Sequence, residues 1–180
     1  MPKAAVFMGS DSDLPVMKAA METLEKFGIS YDLKILSAHR TPKETSAYAE
    51  KAAAAGVEIF IAGAGGAAHL PGVIASFTTL PVIGVPISGS LNGLDALLSI
   101  VQMPPGVPVA AVGVDSAKNA ALLAVSILAL KDKSLSRRLT AYRRSMKKEV
   151  LHKCGKAEKL GYRKYMLERG METGRPGRKK

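Results

Sequence analysis

The first 130 residues of the 180-residue chain alternate short apolar runs with segments of helical periodicity. The apolar runs cover residues 4–8, 33–36, 57–62, 82–87 and 107–114. Most of them are nearly continuous and rich in valine and isoleucine, which is typical of parallel strands buried on both faces. The segment at 31–36 around the second run is more mixed in polarity, so we expect it at an edge of the sheet. Five β-α units in succession predict an α/β fold: a doubly wound three-layer sandwich with a central parallel sheet, flavodoxin-like in outline.

Two helix starts can be read directly from the sequence. A Leu-Pro pair follows Asp13, so we expect the Asp13 side chain to cap the first helix. The segment TPKE at 41–44 has the spacing of a capping box, in which Thr41 and Glu44 would each bind a backbone N–H group. Further helices are predicted from about residues 67, 93 and 116, so that each strand is followed by a helix.

The composition and the apolar stretches of the chain limit the cellular compartment in which we expect the protein. Its single cysteine, Cys154, allows no disulfide within the chain and favours a reducing compartment. The first residues lack the layout of a signal peptide. The longest apolar stretch, residues 120–130, is about half of the roughly 20 residues that a membrane helix needs. We therefore expect a soluble, cytoplasmic protein with no membrane partner.

The positive charge is concentrated near the C-terminus. Residues 131–180 hold 18 of the 26 Lys and Arg residues but only five of the 15 Asp and Glu residues. We expect an α/β domain at 1–130, a C-terminal helical extension at 131–169 that packs on a neighbouring subunit, and a disordered basic tail at 170–180. Such a basic helix also suits a nucleic acid, but it has few interleaved aromatic residues and no known motif, so we expect no nucleic-acid partner.

The loops that follow the strands carry most of the residues suited to chemistry. In a doubly wound sheet, ligands bind beyond the carboxyl ends of the strands. The loops read GSDSD at 9–13, SAHRTP at 37–42, GAGGAAH at 63–69 and SGSLN at 88–92. Two of the three histidines and the only arginine before residue 131 lie in them. We therefore expect the functional site at this edge of the sheet.

Each loop allows a functional and a structural interpretation. The hydroxyl and carboxylate groups of the first loop suit an anion or a ribose at a helix start, but they also suit plain capping. In the second loop, Arg40 suits a phosphate and His39 can exchange a proton near neutral pH, or both are incidental surface residues. The third loop either lets a flat ligand approach its backbone beside His69 or simply turns tightly.

Residue spacing argues against several common sites. The third loop lacks the Gly-Lys-Ser/Thr of a phosphate-binding loop. It has Ala68 where a dinucleotide-binding loop most often has its third glycine, and no acidic residue follows at about 20 positions. The histidines are dispersed and the cysteine is solitary, so we expect no metal. No Gly-x-Ser-x-Gly segment marks a nucleophilic serine.

Five segments, in order along the chain, resemble the PurE family, the carboxyaminoimidazole ribonucleotide mutases. The matching segments are MGSDSD at 8–13, SAHRTP at 37–42, AGAGGAAHLPG at 62–72, GLDALLSIVQMPPGVPV at 93–109 and AKNAA at 117–121. The resemblance covers about residues 3–150. Arginine at position 40 resembles the mutase class, whereas the class that uses carbon dioxide and the aminoimidazole nucleotide directly typically carries lysine there. The resemblance therefore favours the mutase.

The resemblance implies an enzyme of purine biosynthesis that moves a carboxylate from the exocyclic nitrogen of an imidazole ribonucleotide to a ring carbon. It implies no ATP, biotin or metal cofactor, and a homo-octamer in which each site is built from more than one subunit. His39 would transfer the proton. Ser12, Ser37 and Arg40 would contact the phosphate, and Ser10 and Asp13 the ribose or phosphate region. Gly65, Ala68 and His69 would line the pocket for the base and the carboxylate.

Two alternatives stay open. One is an aminoimidazole ribonucleotide carboxylase that uses carbon dioxide directly on the same fold, and the other is a non-enzymatic nucleotide- or RNA-binding module that uses the basic tail. The chain also departs from the family pattern in two places. The loop at 88–92, which we expect to face His39 across the site, is about one residue short, and the extension after about residue 150 is longer and more basic.

Overall fold

The computed structural model describes residues 3–171, and these form one five-stranded parallel sheet. The strands are β1 (Ala4–Met8), β2 (Tyr31–Ile35), β3 (Ile59–Gly65), β4 (Val82–Ile87) and β5 (Ala110–Ala111). They lie in the order β2-β1-β3-β4-β5, which is the flavodoxin-like order of a doubly wound sheet. The predicted fold class is confirmed, and so is the placement of residues 31–36 at an edge.

Helices cover both faces of the sheet. They are α1 (Leu14–Lys26), α2 (Pro42–Ala52), α3 (Leu70–Ser76), α4 (Leu94–Val101), α5 (Ala117–Leu128) and α6 (Lys133–Glu168). Two strand glycines allow helices to approach the sheet closely. A Cβ at Gly63 would come within 2.5 Å of Met17 Sδ, and one at Gly84 would come within 2.4 Å of Ile100 Cγ2. The core has few large aromatic side chains, and it is filled because the helices pack close to the sheet.

Strands β3 and β5 differ from their predicted extents. β5 was expected at 107–114, but only Ala110 and Ala111 pair with β4. Pro108 has no N–H for a strand ladder, and Asp115 turns the chain with a φ of 55°. β3 was expected at 57–62 and instead runs to Gly65, so the first three residues of the predicted third loop belong to the sheet. Accordingly, α3 begins at residue 70 rather than near 67.

Both predicted side-chain caps are wrong. Asp13 makes no capping bond to α1, and its carboxylate instead accepts from the Ser10 N–H at 3.2 Å in a capping box around a 3-10 turn. Thr41 makes no capping bond to α2, and its hydroxyl binds the backbone of Ser37 instead. Each helix has a proline in its first two positions, and the fixed φ of proline suits a helix start without a side-chain cap.

The chain divides into two compact units, Met1–Ser136 and Arg137–Lys180. The second contains most of α6, which is interrupted at Gly161, where φ is 69°. An ion pair of 2.7 Å joins Lys156 to Glu168 on either side of that interruption. Of the tail predicted at 170–180, all but the first two residues lie outside the described part of the chain. Within residues 3–171, no helix combines the length and the apolar character that crossing a bilayer requires.

Candidate active site

A cavity of about 380 Å³ lies where β1, β2 and β3 end. The strand register accounts for its position, because Met8 pairs with Ile35 on one side and with Gly63 on the other. The loops that follow these strands therefore start side by side, as expected for a ligand site in a doubly wound sheet. The cavity is lined by Gly9, Ser10, Asp13, Ser37, Ala38, His39, Arg40, Ala64, Gly65, Ala67, His69 and Leu70.

Most of the predicted site residues line this cavity. They are Ser10, Asp13, Ser37, His39, Arg40, Gly65 and His69. Ser12 and Ala68 do not. Ser12 is exposed on the 3-10 turn, where its backbone N–H donates to Ser10 Oγ. The Ala68 side chain is fully buried in the core.

The two histidines of the cavity are in direct contact. His39 Nε2 and His69 Nδ1 are 2.8 Å apart, and the rings meet edge to face with their centroids separated by 4.9 Å. Both side chains are exposed to the cavity. Because one nitrogen must carry the hydrogen and the other must accept it, the contact couples the tautomers of the two rings. The sequence placed both residues at the site but gave no indication that they touch.

The loop that carries His39 is held by hydrogen bonds of its own. The backbone N–H groups of His39 and Arg40 both donate to Ser37 Oγ, each at 3.3 Å. The Arg40 side chain turns back over the first loop, where Nη2 donates to Gly9 O at 2.6 Å. The guanidinium is nevertheless exposed and borders both the main cavity and a neighbouring one of about 310 Å³. It is therefore fixed in place while its remaining donors are open to an anion.

Asp13 supplies the carboxylate of the cavity. Partial burial raises the pKa of this carboxyl above its ordinary value. Backbone hydrogen bonds from Ser10 and Gly9, a side-chain bond from Ser12 and the charge of Arg40 act in the opposite direction and only partly offset the burial. The carboxylate is thus partly buried, and one of its oxygens accepts a hydrogen bond from the Ser10 N–H.

A third cavity borders the histidine pair and was not anticipated from the sequence. It has a volume of about 360 Å³ and includes Val73 of α3, Ser99 of α4 and Met103 in its lining. Ser99 and Met103 belong to the segment 93–109 that resembles the family, but nothing in the sequence placed them beside the histidine pair. The loop at 88–92, expected to face His39, lines none of the three cavities. Its first N–H, at Ser88, donates to Asp115 Oδ1 at 2.9 Å instead.

The polar groups of the cavity are an exposed guanidinium, a partly buried carboxylate, two serine hydroxyls and a pair of imidazoles. Among residues 3–171, no cluster of three or more His, Cys, Asp or Glu side chains could hold a metal ion. The set suits a small anionic ligand with a ring that exchanges a proton, because guanidinium binds anions and imidazole transfers protons near neutral pH.

Comparison with known proteins places the chain in a family. It matches the AIR carboxylase family over residues 3–149. It is 60% identical over 167 residues to the N5-carboxyaminoimidazole ribonucleotide mutase of Pyrococcus abyssi, covering 92% of this chain and 96% of that protein. It is 56% identical over 170 residues to the protein of the same name from Thermotoga maritima, covering 94% of this chain and 99% of that protein. The solved structure of Treponema denticola PurE is also similar, with a TM-score of 0.79 and 31% identity, covering 87% of this chain and 98% of that one. The chain therefore belongs to the AIR carboxylase family.

Proposed function

We propose that the chain is an N5-carboxyaminoimidazole ribonucleotide mutase of purine (IMP) biosynthesis. As an isomerase, it moves the carboxylate from the exocyclic nitrogen to a ring carbon and yields 4-carboxy-5-aminoimidazole ribonucleotide. The observation that carries the proposal is the 2.8 Å contact between His39 and His69 in a cavity that also holds Arg40. The names of the relatives from Pyrococcus abyssi and Thermotoga maritima support the same reaction.

The reaction needs proton transfer at two points. When the C–N bond of the carbamate breaks, the electron pair stays on nitrogen, which takes up a proton as carbon dioxide leaves. The ring carbon then attacks carbon dioxide and must lose its own proton to restore the aromatic ring. One histidine that gains and returns a proton near neutral pH serves both steps, and such acid–base catalysis contributes about 10²–10⁴ in rate. We assign this role to His39.

His69 orients the ring that does this work. A hydrogen bond between two imidazoles selects one tautomer of each ring and limits its rotation. The proton that His39 gives to the departing nitrogen, and later takes back from the carboxylated ring carbon, can be shared with His69 through the same bond. We therefore treat the two rings as one proton-handling unit. Gly65, at the end of β3, has no side chain to keep a flat ring away from this unit.

The phosphate of the substrate is assigned to the loop after β2. Arg40 offers a fixed and exposed guanidinium, and Ser37 lies beside it in the lining of the same two cavities. We also assign Ser12 to the phosphate, because it is exposed on the loop whose Gly9 carbonyl accepts the hydrogen bond from Arg40. Ser10 and Asp13 are assigned to the ribose, since a carboxylate accepts hydrogen bonds from ribose hydroxyls. When the nucleotide is held at its phosphate and ribose, the ring and the released carbon dioxide stay together, so their recombination is effectively unimolecular.

The assembly is part of the proposal. Helix α4 exposes an apolar stripe at Leu94, Leu98 and Val101, which are 56%, 47% and 49% exposed. This i, i+4, i+7 stripe is the surface that a second copy of the chain would bury. We propose a cytoplasmic homo-octamer whose sites are built from more than one subunit and whose extension at 131–169 packs on a neighbour. Light scattering should give the mass of eight chains, and a Leu98→Glu variant should give a smaller species.

The function is tested by supplying the two candidate substrates separately. One arm contains the carbamate, and the other contains aminoimidazole ribonucleotide with bicarbonate. We expect rapid turnover of the carbamate at a rate that added bicarbonate does not raise. Efficient turnover only in the second arm would assign the direct carboxylase instead, an activity consistent with the family's name. Turnover in neither arm, together with RNA binding by the full chain, would assign the non-enzymatic module.

A further inference from the structure

The hydroxyl of Thr41 ties together both backbone groups of a single residue. Thr41 Oγ1 accepts a hydrogen bond from the Ser37 N–H at 2.8 Å and donates one to Ser37 O at 3.1 Å. The Thr41 N–H also donates to Ser37 O, at 2.9 Å. Three hydrogen bonds thus close the five-residue loop 37–41 at its two ends. With Oγ1 used in this way, the hydroxyl is not available to cap α2.

We propose that Thr41 is a positioning residue of the active site, which closes this loop and so sets the directions of His39 and Arg40. The proposal rests on the function given above. Fixing the Ser37 backbone also fixes where Ser37 Oγ points, and that oxygen receives the N–H groups of both His39 and Arg40. The two side chains leave the loop towards different partners, His69 at 2.8 Å and Gly9 O at 2.6 Å. Both contacts require the loop to keep one shape.

The start of α2 does not depend on the same hydroxyl. Pro42 begins the helix with a fixed φ, and Thr45, Ala49 and Ala52 bury its inner face. Removing the hydroxyl should therefore leave the helix in place and loosen the loop before it. A displacement of about 1 Å at a reacting group costs on the order of 10²-fold in rate. Loss of the Thr41 hydroxyl should accordingly reduce turnover more than it reduces folding.

The test compares Thr41→Val, which keeps the shape of the side chain but removes the hydroxyl, with Thr41→Ser, which keeps the hydroxyl. The matched control is Thr23→Val in α1, where a buried threonine hydroxyl donates to Ala19 O at 2.7 Å away from the site. With the carbamate as substrate, we expect Thr41→Val to lower kcat by about 10- to 100-fold and to raise KM. Thr41→Ser should stay within about threefold of the unmodified enzyme for both constants.

The control separates positioning from stability. Thr23→Val should lower the melting temperature and leave kcat and KM unchanged. The proposal is overturned if Thr41→Val keeps both constants near their original values, or if Thr41→Ser loses as much activity as Thr41→Val.

A readout without substrate keeps this test independent of the assigned reaction. Long-range ¹H–¹⁵N spectra of the ligand-free full-length protein report the tautomers of the His39 and His69 rings. We expect Thr41→Val to change this pattern, and Thr41→Ser and Thr23→Val to preserve it. An unchanged pattern in Thr41→Val would contradict the positioning role. If the pattern changes but even the unmodified protein does not turn over the carbamate, the proposed function fails and the positioning role stands.

Discussion

The two loops that bring the histidines together are held by different forces. The loop after β2, residues 37–41, is held by polar bonds, because hydroxyls of Ser37 and Thr41 fix the backbone that carries His39. The segment before His69 has no comparable network. It is placed by the end of β3, by Gly66 at a φ of 58°, and by the buried side chains of residues 68 and 70. One half of the pair therefore depends on hydroxyl groups, and the other half depends on backbone freedom and packing.

Arg40→Ala should remove the contact between the loop at 37–41 and the phosphate of the substrate. We expect it to have the largest effect of the three substitutions at Arg40, Gly66 and Asp13. The variant loses a charge-assisted hydrogen bond to the phosphate, worth about 1.5–3 kcal/mol. Substrate binding should weaken by roughly 10- to 150-fold, as measured by calorimetry, with a smaller change in kcat. Lys43→Ala removes an exposed cation of α2 that lines none of the cavities and should leave binding unchanged. Equal effects of the two substitutions would contradict the assignment of Arg40.

Gly66→Ala tests whether the segment before His69 depends on its backbone conformation. A Cβ at this glycine would meet no atom within 4 Å, so its cost comes from the positive φ alone. Denaturant unfolding should show a loss of about 1–2 kcal/mol. Gly89→Ala, in open space and without a positive φ, is the matched control and should be nearly neutral. If Gly66→Ala is also neutral, the glycine segment is not held by backbone conformation.

Asp13→Asn tests whether the partly buried, charged carboxylate of Asp13 lowers the free energy of unfolding. Burial raises the pKa of Asp13 in the folded state, so the folded protein binds the proton more tightly than the unfolded chain does. The charged carboxylate then destabilises the fold at neutral pH, and this destabilisation fades as the pH falls towards the ordinary value of 3.8. Asp13→Asn should raise the free energy of unfolding at pH 7, by less than about 1 kcal/mol because solvent screens the group.

The pH dependence decides that experiment. The gain from Asp13→Asn should be complete at pH 7 and should shrink in unfolding measurements as the pH falls towards 3.8, while substrate binding at pH 7 weakens. A gain that is the same at every pH, or a loss at pH 7, would rule out a burial cost at this carboxyl.

The fold and the location of the site could be predicted from the sequence because they depend on strong local patterns. The bounds of β1 and β4 match the apolar runs at 4–8 and 82–87, and the loops after the first three strands meet as the topology requires. Strand β5 was overestimated because the apolar run at 107–114 continues past Ala111, where its regular pairing with β4 ends. The same limit applies to Ala68, whose small apolar side chain suits a pocket wall and a core equally well.

The contacts inside the site could not be predicted in the same way. His39 and His69 are 30 positions apart in the chain, and they meet only because β1 aligns the ends of β2 and β3. Thr41 illustrates a second limit. The spacing of Thr41 and Glu44 is that of a capping box, yet the hydroxyl binds backward to Ser37 because Pro42 already starts the helix. Side-chain types that cap helices also close loops, and the sequence does not distinguish the two.

A double-mutant cycle on turnover of the carbamate tests whether His39 and His69 act as one proton-handling unit. His39→Asn should lower kcat by about 10²–10⁴ while nucleotide binding persists. His69→Asn should have a smaller effect, and the double variant should lose little more than His39→Asn alone, because residues that work together are not additive. Effects that multiply, or near-normal turnover by His39→Asn, would contradict the account.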